Sequence, residues 1–461
     1  MVEPDSPAVD EFRRPRFARE AALRSRSASP KGRRARPSIA FMLMDLSPQA
    51  FQSAAQALDL VLDFRRPADA VLASFFREHK QLGARDRAFI SEAVFGVLRR
   101  YRYLSAVVPA IQPRTLILAW LLKVRGVSAR TLEGFAKPEL IHQLRETATG
   151  ELPLGVAAEL PDWVVERLRT QMSDADILAL GRALQQQAPL DVRVNTQRMS
   201  RDAALARLRE EGCPVEPTPY SPWGIRFGAH PAMKRHPLFL DGSIEIQDEG
   251  SQLLALLLGA RRGEMVCDFC AGAGGKTLAI GAMMASTGRL YAFDVAEKRL
   301  ANLKPRLARS GLSNVMPQLI ASETDTRVKR LAGKLDRVLV DAPCSSLGTL
   351  RRNPDLKFRQ SPESVAQLAQ KQAAILRAAA KLLKPGGRLV YATCSLLPEE
   401  NEAIVDGLLG EGGVSLLPAN ELLAQQKIAL DTGAFLKLSP VAHATDGFFA
   451  AALEKTSPAA A

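Results

Sequence analysis

Apolar residues recur at helical spacing over the first part of the chain. Between residues 47 and 147 they stand three or four positions apart, as at Ala54, Leu58 and Val61. Such spacing puts the apolar side chains on one face of a helix, so the segment is predicted to form an all-helical domain. The helical period then stops, and a connector is expected at residues 150–161.

Alternating spacing follows further along the chain. Residues 190–195 alternate apolar and polar side chains, which is typical of a half-buried strand. Ser200 can cap the helix that comes next, and Gly212 can end it. With two more strand-like pieces at 224–227 and 243–246, this region is predicted to be a small α+β unit.

From Leu253 onward, buried strands alternate with helices. Ser361 can cap one of these helices, which should extend through Leu383 to a Pro-Gly-Gly stop. The alternation is typical of a doubly wound, largely parallel sheet, so the fold class is α/β with a Rossmann-like core. The strand-like runs are Met265–Phe269, Leu290–Phe293, Val338–Val340 and Arg388–Thr393.

Chain length and composition favour a protein of two or three domains. Of 461 residues, 47% are apolar, which is enough for several buried cores. No apolar run approaches the roughly 18 residues of a membrane-spanning helix, and the basic N-terminus does not resemble a secretory signal. We expect a soluble, cytoplasmic protein with no membrane partner.

The cysteines indicate neither a disulfide framework nor a zinc site. Five cysteines are an odd and sparse set for a chain of this length. Cys267 and Cys270 have metal-ligand spacing, but no second pair accompanies them, so no metal is predicted. Cys267 lies within a strand-like run and is expected to be a small core residue.

A formal charge of +13 indicates an anionic partner, because Lys and Arg side chains that neutralise phosphates release counterions. Ten basic side chains lie between Phe12 and Arg36 against one acid, Glu20. Residues 1–45 are therefore predicted to be a disordered arm. Both an inert tail and a non-specific RNA tether fit this composition.

Two other basic segments, 99–103 and 351–359, are candidates for contact with RNA. In the first, cations and tyrosine rings interleave, as stacking on bases requires. Solvated charged side chains without a ligand are the alternative in both segments. The basic residues of the second segment are Arg351, Arg352, Lys357 and Arg359.

A glycine-rich segment follows the first strand of the α/β part and reads Asp-Phe-Cys-Ala-Gly-Ala-Gly-Gly-Lys-Thr over residues 268–277. A P-loop would need Gly at position 270 and a dinucleotide fingerprint would need Gly at position 277, so neither motif is present. What remains is a turn of small residues before a helix, whose free N–H groups can bind a carboxylate. Asp294 ends the next strand, where it can accept both hydroxyls of a ribose or cap a helix.

Two cysteines each follow a strand-like apolar run. Cys344 closes the segment Asp-Ala-Pro-Cys, and Cys394 lies in Thr-Cys-Ser. Both should therefore lie at strand ends of one sheet, beside the glycine loop. Together with that loop, the two segments closely resemble the NOL/NOP/Sun family of RNA cytosine-5 methyltransferases, in particular its RsmB-like bacterial branch. The resemblance is strongest over residues 238–449.

The resemblance implies S-adenosylmethionine as the cofactor and RNA as the partner. It also implies that an all-helical NusB-like domain and a small RRM-like α+β extension precede a Rossmann-like methyltransferase core. The implied boundaries are 1–45 for the basic arm, 46–150 for the NusB-like RNA-binding domain, 151–250 for the linker and RRM-like extension, and 251–455 for the catalytic domain.

Roles for the site residues also come from the resemblance. A thiolate that adds to carbon 6 of cytosine makes carbon 5 nucleophilic. Cys394 is implied to be this nucleophile, and Cys344 to assist release of the product. Asp341 would contact the cytosine and lie beside the cofactor, with Lys276 orienting its carboxylate. The implied cofactor loop consists of Cys270, Ala271, Gly272, Ala273, Gly274, Gly275 and Lys276.

Several positions differ from the family pattern, and others belong to its closing motif. Ala273 replaces the proline usual in the loop, and Gly250 stands where Ala is more frequent. Glu323 is the candidate substitute for the usual adenine-side acid. In the closing motif, Asp446 is expected to turn the chain, and the Phe pair at 448–449 to pack as core.

The sequence therefore predicts a monomeric RNA cytosine-5 methyltransferase. The domain order shared with the RsmB-like branch favours ribosomal RNA, while a tRNA substrate stays open. A catalytically idle RNA-binding ribosome-assembly factor is the alternative, although Cys344, Cys394 and Asp341 are intact. Methylation of DNA cytosine is disfavoured by the Thr-Cys-Ser segment.

Overall fold

A computed structural model describes residues 47–147 and 150–457 of the chain. The predicted basic arm, residues 1–45, lies outside these segments. Among the helices of the described segments, none combines the length and apolar character that crossing a membrane requires.

Helices make up the first part of the described chain, as the apolar spacing predicts. Ser47 caps the first of them, because its Oγ accepts a hydrogen bond from Ala50 N at 3.0 Å. Trp120 is buried in the core of this part, and Gly96 makes room for its ring: a Cβ at Gly96 would lie 2.4 Å from the indole. The helices are α1 (Pro48–Val61), α2 (Ala68–Glu78), α3 (Ala84–Arg99), α4 (Tyr101–Val107), α5 (Pro113–Ala119) with a π-helical turn over Trp120–Val124, α6 (Ala129–Leu132) and α7 (Pro138–Glu146).

Three more helices follow, α8 (Leu154–Ala157), α9 (Asp162–Leu168) and α10 (Asp174–Leu184). Helix α8 lies within the predicted connector at 150–161, and the other two follow it, where no helix is predicted. Their apolar side chains pack against residues from much later in the chain, including Leu347. The buried residues of α10 nevertheless stand at helical spacing behind the capping Ser173, at Ile177, Leu180 and Leu184, so this helix could have been predicted from the sequence.

The predicted small α+β unit is present as a four-stranded antiparallel sheet. Ser200 caps its helix by accepting from Ala203 N at 3.2 Å, and Gly212 follows the helix end with a φ of +76°. The elements are β1 (Leu190–Val194), α11 (Arg201–Glu210), β2 (Val215–Pro217), β3 (Gly224–Phe227), α12 (Pro237–Leu240) and β4 (Ile244–Ile246), with strand order β2-β3-β1-β4.

Strand β1 is buried on both faces, so its prediction as a half-buried strand is wrong. The polar residues that suggested an exposed face are paired inside the protein. Asp191 accepts two hydrogen bonds from the Arg226 guanidinium, and Arg193 donates to Gln247 Oε1 at 2.7 Å. Burial lowers the pKa of Arg193 to about 10.

The second part is an α/β unit around a mixed eight-stranded sheet, which confirms the predicted Rossmann-like fold. Strands β9, β8, β5, β6 and β7 are parallel, and β12 joins β9 antiparallel. The elements are α13 (Glu249–Leu258), β5 (Met265–Asp268), α14 (Gly275–Met283), β6 (Arg289–Asp294), α15 (Glu297–Ser310), β7 (Val315–Leu319), α16 (Thr326–Lys329), β8 (Leu335–Asp341), α17 (Leu356–Arg359), α18 (Pro362–Ala380), β9 (Leu383–Thr393), α19 (Glu402–Glu411), β10 (Val414–Leu417), α20 (Ala419–Gln425), β11 (Leu436–Leu438) and β12 (Phe448–Lys455).

Alternate strand residues contribute to two apolar clusters, one on each face of the sheet. Val266 packs with residues of α13 and α14, whereas Cys267 packs with residues of α18 and α19. Cys267 is fully buried, as expected for a core residue. Because side chains alternate along a strand, the two clusters hold helices against opposite faces.

Helix α18 begins as predicted but ends earlier. Ser361 Oγ accepts from Ser364 N at 3.2 Å, with Pro362 in the first turn. The helix stops at Ala380, so Leu383 does not lie on its apolar face and instead begins β9. The Pro-Gly-Gly segment lies inside the residues of β9 rather than ending the helix.

Candidate active site

The glycine loop joins β5 to α14 and is shaped by two residues with positive φ. Gly272 has φ +55° and Gly274 has φ +83°. At the φ of Gly274 a side chain would be strained, and a Cβ there would also lie 2.1 Å from the Leu303 side chain, so both observations favour glycine. At Gly272 a Cβ would meet nothing within 4 Å, which leaves open space beside the loop.

Asp294 lies against this loop, at the end of the neighbouring strand β6. Its Oδ2 accepts from Gly272 N at 2.8 Å, and its Oδ1 accepts from Ala296 N at 2.7 Å. The sequence left two roles open for Asp294, a contact with a ligand or capping of a helix. These two backbone hydrogen bonds show that its carboxylate stabilises the glycine loop and the start of the next helix. Each oxygen keeps a second lone pair for a hydroxyl.

Asp268, to which the sequence assigned no role, lies buried beneath the same loop. Its Oδ2 accepts from Thr277 Oγ1 at 2.7 Å, while its buried Oδ1 has no hydrogen-bond partner within the described structure. Burial raises the pKa of Asp268 to about 7. Because an unpaired buried acceptor is costly, this oxygen suits a ligand that carries an ammonium group.

These residues fit S-adenosylmethionine. Its amino-acid part carries an ammonium group that Asp268 Oδ1 can accept, and a carboxylate that the N–H groups at the start of α14 can bind. Each Asp294 oxygen can still accept a hydroxyl hydrogen, so its contact with a ribose stays a prediction. Glu323 follows β7, whose Leu319 pairs with Asp294, and it is half-buried there, so its adenine-side role stays a prediction.

Cys344 and Cys394 come together beside the glycine loop. They follow the neighbouring parallel strands β8 and β9, and their Sγ atoms are 3.5 Å apart. The hydrogen bond from the Cys344 thiol lowers the pKa of Cys394, whereas the same bond raises the pKa of Cys344. Cys394 therefore carries the thiolate more readily.

Lys276 connects the glycine loop to the cysteine segments. Its Nζ donates to Asp341 Oδ2 at 2.7 Å, and its side chain is 11% exposed against 33% for Asp341. Burial alone would lower the pKa of Lys276, but the charge of Asp341 and its hydrogen bond, together with the nearby Cys394 and Asp268, outweigh burial and raise it. The site thus places a fixed cation beside an accessible carboxylate and a thiol pair.

Arg351 and Arg352 are held by ion pairs, so the description of them as solvated side chains is wrong, while phosphate contact by the one-third exposed Arg352 stays a prediction. Both pair with Asp446, at 3.0 Å for Arg351 Nη2, and Arg352 also reaches Asp248 Oδ2 at 3.0 Å. Burial, with the nearby charge of Asp446, raises the pKa of Asp248 to about 6. Asp446 therefore anchors the segment after Cys344.

The rest of that segment is docked on the helical part. Lys357 is buried and donates to Glu159 Oε2 at 2.9 Å, while Arg359 pairs with Asp355. Phe358 packs against Phe64 at 4.7 Å between ring centroids. A solvated loop is therefore a wrong description of these residues, and Lys357 is too deeply buried to contact a phosphate.

Residues 99–103 also make internal contacts. Glu159 accepts from the backbone N–H groups of Arg102 and Tyr103, and the Tyr101 ring packs on Phe358. Arg102 further pairs with Asp162. Because the cations and rings are engaged within the protein, a free RNA-binding surface and a solvated helix end are both incorrect descriptions.

The closing motif packs as expected. Phe448 and Phe449 are buried in the two clusters that cover the sheet. Gly250 stands where Ala is more frequent because a Cβ at this position would lie 2.6 Å from the Phe448 ring. Across residues 47–147 and 150–457, no group of three or more His, Cys, Asp or Glu is arranged to hold a metal ion.

Comparison with known proteins places the chain in a family. A family model described as 16S rRNA methyltransferase RsmB/F matches residues 255–454, and a model of the RsmF/B-like ferredoxin-like domain matches residues 160–233. The second match overlaps the small antiparallel sheet.

Relatives cover most of the chain. A protein of Synechocystis sp., named as a probable ribosomal RNA small subunit methyltransferase B, is 32% identical over 80% of this chain and 91% of its own length. Ribosomal RNA small subunit methyltransferase B of Salmonella typhi is 32% identical over 77% of this chain and 89% of its own. The crystal structure of PH0851 shares the fold with a TM-score of 0.73 at 24% identity, over 89% of this chain and 99% of that one. The chain belongs to the RsmB/F family of methyltransferases.

Proposed function

We propose that this protein methylates carbon 5 of cytosine in RNA through a covalent adduct with Cys394. The observation that carries the proposal is the thiol pair, with Sγ atoms 3.5 Å apart, beside Lys276 and Asp341. One thiol is enough for addition to and elimination from cytosine, so two thiols at adjacent strand ends, next to a loop that fits S-adenosylmethionine, support separate roles in attack and release.

Cys394 is assigned to the attack on carbon 6. Carbon 5 of cytosine is a weak nucleophile, and addition of a thiolate at carbon 6 converts the ring to an enamine. Bound S-adenosylmethionine supplies the electrophilic methyl group. The lowered pKa of Cys394 favours the thiolate that the addition needs.

Asp341 is assigned to the pyrimidine edge. A third of its side chain is exposed, and Lys276 fixes one of its oxygens. The carboxylate can accept from the exocyclic amine and share a proton with nitrogen 3, so that negative charge does not accumulate on the ring during addition. Lys276 is the residue that holds it in place.

Cys344 is assigned to product release. The carbon 5 proton must pass to a base before the carbon–sulfur bond breaks and Cys394 departs as a thiolate. The hydrogen bond that Cys344 donates stabilises this thiolate, which makes Cys394 a better leaving group.

The names of the relatives favour ribosomal RNA of the small subunit as the substrate, as does the domain order. We further propose that residues 46–150 are a NusB-like RNA-binding domain and that residues 151–250 contain the RRM-like extension, ahead of the catalytic residues 251–455. The helices and the antiparallel sheet of the first two segments support this division.

Bisulfite sequencing of total RNA tests the proposal. Cells without the protein should lose one or more 5-methylcytosines from ribosomal RNA, and the wild-type protein should restore them. Cells that carry Cys394→Ser serve as the matched control, and this variant should not restore the 5-methylcytosines. Loss from tRNA instead would identify the other substrate, and an unchanged methylation pattern would contradict the proposal.

A further inference from the structure

A buried carboxylate joins the two segments that carry the cysteines. Glu400 is fully buried in the 3₁₀ turn Pro398–Glu400. Its Oε1 accepts from Ser345 N at 2.8 Å and from Gln372 Nε2 at 3.0 Å. Its Oε2 accepts from the hydroxyls of Ser345 and Ser395, both at 2.5 Å. One side chain thus receives four hydrogen bonds.

The two serines directly follow the two cysteines, Cys344 and Cys394. Their Oγ atoms are 3.1 Å apart, so the segments touch at the carboxylate and at each other. The next residue of the turn, Asn401, adds to this arrangement, because it accepts from Thr393 Oγ1 at 2.5 Å and donates to Ser395 O at 3.3 Å.

We propose that Glu400 is a positioning residue that sets the separation of the Cys344 and Cys394 sulfur atoms. The inference rests on the proposed function and extends it to a residue that touches neither substrate nor cofactor. Glu400 acts through the serines, whose positions fix the backbone beside each thiol. Without its carboxylate, four buried donors lose their acceptor and the two segments lose their common anchor.

Two substitutions separate position from charge. In Glu400→Gln the amide oxygen can still accept from Ser345 N and Gln372, and the amide nitrogen can donate to both hydroxyls. The geometry is therefore kept while the charge is lost. Glu400→Ala removes all four contacts. Glu399→Ala is the control, because the neighbouring Glu399 pairs with Arg167 and is 29% exposed.

Steady-state methylation is the first measurement. Since a misplacement of about 1 Å can cost about 100-fold in rate, Glu400→Ala should lose on that order in kcat, with a KM for S-adenosylmethionine within about twofold of wild type. Glu400→Gln and Glu399→Ala should stay within about threefold. A Gln variant as slow as the Ala variant would overturn the positioning role.

Alkylation of Cys394 by iodoacetamide, followed by mass spectrometry across pH, is the second measurement and does not depend on methylation. If the sulfur atoms separate, Cys394 loses the hydrogen bond from Cys344. The pH at which alkylation of Cys394 is half-maximal should then rise by about one pH unit in Glu400→Ala. The Gln variant should keep the wild-type midpoint. If Glu400→Ala keeps both the alkylation midpoint and the kcat of the wild type, the proposal is wrong.

The double variant Ser345→Ala, Ser395→Ala covers the case in which Glu400→Ala does not fold. It removes the two hydroxyl contacts and should raise the alkylation midpoint in the same direction, and an unchanged midpoint would again refute the role. If wild type does not methylate cytosine but Glu400→Ala still shifts the midpoint, the positioning role stands and the proposed function falls.

Discussion

The Sγ atoms of Cys344 and Cys394 are 3.5 Å apart, although fifty positions separate the two residues in the chain. Parallel pairing of β8 with β9 brings the ends of the two strands to the same edge of the sheet. At this distance one thiol stabilises the thiolate of the other, so the two cysteines differ in pKa. This difference leads to distinct predictions for the two substitutions.

Cys394→Ser should abolish methylation of RNA, because a serine hydroxyl is far less nucleophilic than a thiolate at neutral pH. Binding of S-adenosylmethionine should be almost unchanged, since Asp268, Asp294 and the glycine loop are untouched. Transfer from radiolabelled cofactor and calorimetric titration measure the two properties. Wild-type transfer by the variant would contradict the assignment.

Cys344→Ala should stall the enzyme after methylation. Without the thiol of Cys344, the departing sulfur of Cys394 loses its stabilising hydrogen bond. The variant should accumulate a covalent RNA adduct, visible on a denaturing gel as a slow-migrating band that nuclease removes. The double variant that lacks both thiols is the control, and a band that persists in it would refute this division of roles.

Much of this site could be predicted because it depends on strand order and local motifs. Asp341 ends a strand and the two cysteines and the glycine loop follow strands, and parallel strands bring these ends together. The basic segments could not be predicted in the same way. Arg352 appears free in the sequence because its acidic partners, Asp248 and Asp446, are about a hundred positions away.

The same reason explains the errors in the fold. Alternation in β1 predicted an exposed face, but Asp191 finds Arg226 and the strand is buried. Helices α8 and α9 span only four and seven residues, and some of their apolar partners lie beyond residue 340. Helix α10 is an exception, because it was missed although its apolar residues stand at helical spacing. Glu400 was missed because a single acid in a turn carries no local pattern, and its role arises only from contacts with two distant serines.

Asp268→Asn should remove a pH dependence of cofactor affinity. The pKa of Asp268 is raised to about 7 by burial, so the acid is neutral below this pH and ionised above it. Affinity for S-adenosylmethionine should therefore rise in wild type between pH 6 and 8, roughly one unit on either side of that pKa, because the ionised carboxylate attracts the ammonium group. Calorimetric titration of Asp268→Asn should give weaker binding with a flatter pH profile.

Stability of the cofactor-free protein should change in the opposite sense. Burial raises the pKa of Asp268 in the folded protein above that of an unfolded Asp. The contribution of Asp268 to the free energy of unfolding is therefore complete below the unfolded pKa and is lost as pH rises through about 7. Asp268→Asn should therefore be more stable than wild type at pH 8, by on the order of 2 kcal/mol. The exposed Asp406→Asn is the control for urea unfolding. Equal stabilisation by both substitutions would contradict the role of burial.

Lys357→Met should destabilise the contact between the helical part and the segment after Cys344. The side chains of Lys357 and Glu159 are 3% and 1% exposed, so the substitution leaves a buried carboxylate without its cation. Breaking a buried pair from one side costs about 3 to 5 kcal/mol. Urea unfolding followed by tryptophan fluorescence measures the loss.

Two controls distinguish this effect from the removal of any lysine. Lys384→Met breaks the surface pair with Asp336, where Lys384 is 46% exposed, and should cost less than about 1 kcal/mol. The double variant Lys357→Met, Glu159→Gln removes both charges, so it should be more stable than Lys357→Met alone. If Lys357→Met costs no more than Lys384→Met, the buried pair does not hold the two parts together.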